Sequence, residues 1–396
     1  MLRLLQKSTV SREQTGGTWL ELFFDLVYVA ILVELGNRLS HDLTLLGTLQ
    51  YVVLFVPIWW SWLALVFYTR YFPSDDIGQR LLTVLYMGAM IMLAFEIHAV
   101  TGQTSTYFVL SYAATKFILA LMYLRAWQQF PEYKAMTSHY AALYLLIGLL
   151  WIAIAFIGPT NFWLWGVAIV ADVSLPILIR WSRGVRKKSP PKLPPLKHHY
   201  MLHRFGELTI IVLGEFFIKL IASSSGEELQ PFNFYMGACL LAISVSLWWL
   251  YFDHTDHVSL NKEQTRPALW IYTHYFLLAA ITAYGVVGTK VFAAVPGDIL
   301  SQEKRLLLCI ALAVALLALG IIDWASPESS GPQSRRTNLK IRITASLVLL
   351  VLAFAGGQIA VGLLVTLVAL VLIIQVGIDI ATRLRNESEL GTAVTH

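Results

Sequence analysis

The sequence predicts an all-α, polytopic membrane protein of about twelve transmembrane helices, arranged as two parallel six-helix repeats. Of its 396 residues, 57% are hydrophobic and 13% charged, where a soluble globular chain carries about 25% charge. Mean hydropathy is +0.65. The apolar residues fall in runs of about 20, long enough to cross a ~30 Å hydrocarbon core as helices. These observations exclude a disordered chain, a soluble enzyme of ordinary composition and a disulfide scaffold.

The expected spans of the first half run over roughly 20–39, 50–71, 80–99, 106–124, 139–158 and 161–181. Those of the second run over roughly 204–223, 232–252, 268–289, 305–324, 340–357 and 360–381. Breakers such as Pro73-Ser74-Asp75-Asp76, Gly158-Pro159 and Pro296-Gly297 separate neighbours. Only Gly356-Gly357 divides the last two; reading 340–381 as one kinked helix leaves eleven spans and moves the C-terminus to the other side. Residues 1–181 form the first repeat, 182–203 a basic, Pro-rich linker, and 204–396 the second repeat.

Loop charge orients the chain. With twelve spans, 23 of the 29 Lys and Arg residues fall on the side shared by both termini and the linker, which makes that side cytoplasmic. The pI of about 9.1 is thus a topology signal, and no nucleic acid is expected as a partner. The N-terminus lacks a long apolar stretch before a small-residue site, so no cleaved signal peptide is expected.

The halves resemble each other. A shift of 182 places Asp25 on Glu207, and a shift of 183 places Tyr68 on Tyr251, each tyrosine following a Trp-rich stretch. Two six-helix units insert with the same orientation, which implies a pseudo-twofold axis along the membrane normal, with spans one and seven as candidates to line it.

A charge at mid-span costs about 2.5–3.5 kcal/mol, so a membrane protein retains it for structure or function. The deep ones are Lys116, Asp172, Glu215 and Lys219. On span seven, Arg204, Glu207, Glu215 and Lys219 share a face. Arg204–Glu207 and Glu215–Lys219 have the spacing of helical ion pairs. Ile210, Val212, Phe217 and Ile221 form the opposite, apolar face. The stripe reads either as the lining of a polar pathway or as self-neutralised charge that glues helices together. On span one, Glu21 and Asp25 lie one turn apart, with Glu34 on the opposite face near the outer end. Glu21 also suits a helix N-terminus. Asp25 requires a partner, and Arg70 at the end of span two has the right depth.

Other patterns carry less. Asp253-His254-Thr255-Asp256-His257, with His198, His199 and His203 at similar depth, has metal-ligand residue types but no zinc-site spacing, and reads as a solvated cap. His98 and His274 read as helix-contact hydrogen bonds. Trp59, Trp60, Trp163, Trp165, Trp181, Trp248 and Trp249 read as interface belts. Cys239 and Cys309 sit in apolar runs and imply neither metal nor disulfide. No nucleotide-binding or hydrolase motif is present, and neither a catalytic residue nor a cofactor is assigned.

Glu21-Leu22-Phe23-Phe24-Asp25-Leu26-Val27-Tyr28-Val29 resembles the E-L-F-F-D-L-V-F-V opening of the bacterial low-temperature-requirement A (LtrA) family. His203-Arg204-Phe205-Gly206-Glu207-Leu208 through Gly214-Glu215 is similar to its E-R-F-G…I-I-V-L-G-E block, with His203 where the family commonly has Glu. Trp248 to Asp253 matches its W-W…Y-F-D segment, and the resemblance spans residues 15 to 385. It implies a multi-span protein of the bacterial cytoplasmic membrane, linked to growth in the cold, with no established activity. Phe23-x-Asp25-x-Val27-Tyr28 is also similar to the pore-lining F-S-D-x-V-F helix of a potassium-channel family built from six-helix repeats, although Phe24 replaces the Ser.

The resulting expectation is a channel or secondary transporter for an ion or small solute. Its pathway residues are Glu21, Asp25, Arg70, Asp172, Arg204, Glu207, Glu215, Lys219 and Asp253. Membrane lipids and a proton or cation are its partners, and homo-oligomers remain open. Two alternatives stand. One is a membrane-embedded lipid or isoprenoid enzyme using Asp25, Arg70, Asp75, Asp76, Arg204, Glu207, Asp253 and His257. The other is a sensor or assembly factor whose basic linker binds anionic lipid or a partner.

Overall fold

A computed structural model describes the backbone of residues 18–98, 105–158, 160–185, 198–224, 226, 228–255, 266–326 and 332–394. Side chains are described there except at 175–185, 198–199, 254–255, 332–336 and 386–394. Twelve α-helices follow one another: α1 Trp19–His41, α2 Leu45–Tyr71, α3 Ile77–Phe95, α4 Ser105–Gln129, α5 Lys134–Ile157 and α6 Phe162–Val185 in the first half. The second half holds α7 His198–Ser224, α8 Pro231–Thr255, α9 Pro267–Phe292, α10 Gln302–Ala325, α11 Pro332–Ala355 and α12 Val361–Val394. Among the described residues the one extended pairing is an isolated bridge between Ile299 and Ala360.

Among the described residues, nine helices, α2 to α5 and α8 to α12, are long and apolar enough to cross a membrane, so the chain is a multi-pass membrane protein. The other three differ for identifiable reasons. Helices α1 and α7 carry Glu21, Asp25, Glu34 and Arg38, and Arg204, Glu207, Glu215 and Lys219, too many charges for an apolar segment. The described apolar stretch of α6 runs over Phe162–Ser174.

Helix ends follow local chemistry. Thr18 and Glu21 form a reciprocal capping box on α1: the Thr18 amide donates to Glu21 Oε2 at 2.7 Å, and the Glu21 amide to Thr18 Oγ1 at 3.3 Å. Asp76 caps α3 by accepting from the Gln79 amide. Proline opens α8 and α9, where its missing N–H costs nothing. Gly297, at φ +86°, makes the turn between α9 and α10. A 3-10 turn at Gly356–Gln358 separates α11 from α12, so residues 340–381 are two helices, and the Val361 amide donates to the Asp298 carbonyl at 2.7 Å. Helices α5, α11 and α12 extend beyond their expected spans. Hydropathy marks the part of a helix that meets hydrocarbon, while backbone hydrogen bonding continues into the polar flanks.

The chain forms two compact units, Met1–Arg38 with Gln50–Arg204, and Leu39–Leu49 with Phe205–His396. In the first, α4 packs on α3 and α5, and α5 on α6. In the second, α10 packs on α9 and α11, and α12 on α8 and α11. At Gly288 of α9 an added Cβ would stand 2.7 Å from the Phe216 ring, so this close approach requires glycine. The tryptophans divide. Trp163 and Trp248 are exposed, whereas Trp59, Trp60 and Trp165 are buried, and Trp60 uses its N–H inside the first unit. These three are core residues and not interface belts, because their ring N–H or faces meet partners that hydropathy does not reveal.

Candidate functional site

The first unit contains two buried ionic networks. The first lies at the start of α1. Asp25 is 0% exposed, and its Oδ1 accepts from Trp62 Nε1 of α2 at 2.8 Å and from Arg204 Nη2 of α7 at 2.6 Å. The expected partner, Arg70, is buried at the end of α2 with its guanidinium 5.9 Å from the Tyr71 ring centre. Arg204 therefore reaches across to α1 with the fork that its spacing to Glu207 suggested for a local pair. One turn earlier, Glu21 accepts from Tyr200 Oη of α7, and Tyr200 lies 2.9 Å from Thr69 Oγ1 of α2. Glu21 thus caps its own helix and ties α1 to α7.

The second network lies at the middle of α4 and α6. Lys116 Nζ stands 2.6 Å from Asp172 Oδ2, and both side chains are 0% exposed. The same oxygen accepts from Tyr112 Oη at 2.6 Å, while Trp60 Nε1 donates to Oδ1 at 3.1 Å. The ammonium also lies 4.3 Å from the Tyr112 ring centre and 6.0 Å from that of Tyr144. Trp151 meets Tyr112 edge-on and Trp165 in turn, closing the aromatic surround. Four helices, α2, α4, α5 and α6, supply these groups, so the network exists only once they pack.

The loop between α2 and α3 is locked from outside the spans. Asp75 pairs with Arg80 at 2.9 Å, and Asp76 with Arg125 of α4 and with Ser74. Burial pushes the Asp76 carboxyl up, but the Arg125 guanidinium, the Ser74 hydroxyl and the Gln79 amide outweigh it and bring the carboxyl down to about 2. Both acids are engaged in holding this corner.

In the second unit, Glu215 and Lys219 of α7 lie 3.0 Å apart, with Glu215 buried, while Ile210, Ile218 and Ile221 are exposed. Val212, expected on the exposed side, is buried. Glu207 is half-buried. Asp253, at the end of α8, accepts from Arg383 Nη1 of α12 at 2.7 Å. His274 Nδ1 lies 2.7 Å from the Trp270 carbonyl, which can only accept, so Nδ1 carries the proton. Its Nε2 then accepts from Tyr251 Oη at 3.2 Å. This is the interhelical contact expected of a lone buried histidine. His98, in the turn after α3 and exposed, lies 3.3 Å from Glu34 of α1.

Among the pairs that sequence reasoning missed, one is buried in the second unit. Arg342 of α11 donates to Asp379 of α12 at 2.6 Å with both side chains buried, and Asn338 donates to Asp323 nearby at 3.3 Å. Arg342 reads as a loop charge in a count of positive residues. The usable signal is that it and Asp379 stand at the facing ends of two consecutive apolar helices. Expectations for Trp181, His198, His199, His254, Asp256, His257, the basic residues 186–197 and the first 17 residues fall outside the described side chains.

No group of three or more His, Cys, Asp or Glu side chains among the described residues has metal-site geometry. Compared with known families, residues 17–381 match the model for the bacterial low temperature requirement A protein (LtrA). The chain is also 26% identical over 295 residues to an uncharacterized protein of Rhizobium meliloti (strain 1021), covering 72% of this chain and 70% of the relative.

Proposed function

From the premise that the chain belongs to the LtrA family, we propose that it is a channel or secondary transporter for an ion or small solute, with the polar faces of α1 and α7 along the pathway. One observation carries this reading. The helices least suited to hydrocarbon turn their charges inward, placing Asp25, Asp172, Arg204 and Glu215 in protein while apolar side chains of α7 face out. Ionisable groups kept inside membrane segments commonly mark an ion or substrate path. In this reading the pathway residues are Glu21, Asp25, Arg70, Asp172 and Arg204 of the first unit, and Glu207, Glu215, Lys219 and Asp253 of the second. The order α3–α4–α5–α6 in the first unit and α9–α10–α11–α12 in the second favours two six-helix repeats of one ancestral bundle. The enzyme alternative loses support because Asp75, Asp76 and Asp253 are each tied to an arginine.

The host membrane in this reading is the bacterial cytoplasmic membrane, with both termini and the 182–203 linker in the cytoplasm. Cysteines introduced at positions 188 and 390 should resist labelling from outside intact cells. Labelling of both would reverse the orientation.

The transport reading is tested at Glu215. The single Glu215→Gln variant should lose stability, because Lys219 keeps its charge without the Glu215 carboxylate. The double variant Glu215→Gln/Lys219→Leu should recover thermal stability in detergent yet fail to rescue the phenotype of a deletion strain. A stable double variant with full rescue would assign Glu215 to helix packing alone.

A further inference from the structure

We infer that Lys116 and Asp172 form a proton-exchange site, and that the ion this protein moves or couples to is the proton. The inference rests on the transport reading above and names its ion.

Geometry carries it. Asp172 Oδ2 has two proton-bearing neighbours at the same 2.6 Å, Tyr112 Oη and Lys116 Nζ. Trp60 holds the other oxygen and so fixes which one faces them. The ammonium is fully buried, and its charge is supported by the Asp172 carboxylate and by the faces of the Tyr112 and Tyr144 rings. The titratable groups facing Asp172 are Tyr86 of α3, Tyr112 and Lys116 of α4, and Tyr144 of α5. The lysine ammonium already fills the position beside the carboxylate. A metal cation would need several oxygen ligands there, whereas a proton needs one oxygen lone pair.

The exchange balances. A proton arriving at Tyr112 Oη forms a new O–H bond as the original hydroxyl proton passes to Asp172 Oδ2, so the tyrosine is unchanged. The carboxyl is now neutral and no longer supports the neighbouring charge. One N–H bond of Lys116 breaks and its proton leaves to water. A neutral acid and a neutral amine remain. Transfer of the Oδ2 proton to Nζ restores the ion pair. One proton has entered and one has left, and the pair carries no net charge at either resting point. That neutrality keeps the cost of mid-membrane charge low at both resting points, and the single positive charge exists only between them.

The test needs no knowledge of a transported solute. Purified full-length protein is cycled between about pH 5 and about pH 9 and read by infrared difference spectroscopy in H2O and D2O. Asp172→Asn, Lys116→Met and the double variant are compared with wild type, and the double variant serves where a single one fails to fold. The same proteins are placed in vesicles with a trapped pH dye. Wild type should show a deuterium-sensitive carboxylic-acid band that Asp172→Asn and the double variant lack. Proton flux should fall by roughly a hundredfold in each variant. A wild-type spectrum without such a band, or the same band in Asp172→Asn, overturns the exchange site whatever the flux. If the band depends on Asp172 but no vesicle conducts protons, the exchange site stands and the channel form of the transport reading fails. Undiminished flux in the variants, with an unchanged band, leaves transport standing and removes this site from it.

Discussion

Outside α1 and α7, the two units bury charge at different depths. In the first, Lys116 and Asp172 meet at the middle of α4 and α6, wrapped in Tyr112, Tyr144, Trp60 and Trp151. In the second, Arg342 and Asp379 meet near the start of the apolar segment Thr337–Gln358 and near the end of Val361–Arg385. Contacts at the middle of α8 and α9 are neutral: Tyr284 Oη donates to the Leu240 carbonyl at 2.9 Å and lies 3.2 Å from Ser244 Oγ. A pair near a helix end can be rescued by interfacial water when one partner is lost. A pair at mid-depth has no such recourse, and its loss is felt in full. Mid-depth charge is thus the costlier arrangement and the one that calls for a functional reason.

This contrast can be broken or sharpened by substitution. Lys116→Met leaves Asp172 without its cation and should destabilise the protein by about 3–5 kcal/mol, with most of the loss recovered by Asp172→Asn in the same chain. Thermal unfolding in detergent reads both, and a shift too small to resolve would place water at this site. Arg342→Met should cost less, about 1–3 kcal/mol, because Asp379 can turn toward the interface. A cost equal to that of Lys116→Met would erase the difference between the units.

The corner between α2 and α3 has its own signature. The folded Asp76 carboxyl, at about 2, lies below its ordinary value of 3.8. A group depressed on folding contributes stability above the unfolded value, and that stability disappears as pH falls through the folded one. After allowance for solvent screening, about 1–2 kcal/mol should be lost between about pH 4 and pH 2. Asp76→Asn should remove that slope. An unchanged slope would move the acid sensitivity to another carboxylate. The smallest effect is expected at the neutral contact, where Ser244→Ala should cost about 0.6 kcal/mol, the average for interhelical hydrogen bonds in a membrane. A loss of several kcal/mol would mean that the second unit also depends on a polar centre.

Much of this architecture is legible from residue order. The spans α2 to α5 and α8 to α12 follow from runs of apolar residues, because a helix satisfies its own backbone and needs only length and hydropathy to cross hydrocarbon. The place of Glu21 at the N-terminus of α1 is legible as an acid at the start of an apolar run. The burial of Asp25, Asp172 and Glu215 is legible as charge inside apolar runs. Their partners are not. Arg70 stood at the right depth for Asp25, yet Arg204, 179 residues away, makes the hydrogen bond. Lys116 and Asp172 show no spacing relation, since they come from helices that meet only through packing. Trp60 reads as an interface residue until its N–H is placed on Asp172. Arg342 reads as a loop charge until α11 folds beside α12. Sequence alone determined which segments are long and apolar enough to cross a membrane and which helices carry charge, because transfer free energy and backbone hydrogen bonding are local properties of each segment. Tertiary structure alone decided which charges neutralise one another, because an ion pair depends on distance through space, and its ends come to 2.6 Å from different helices.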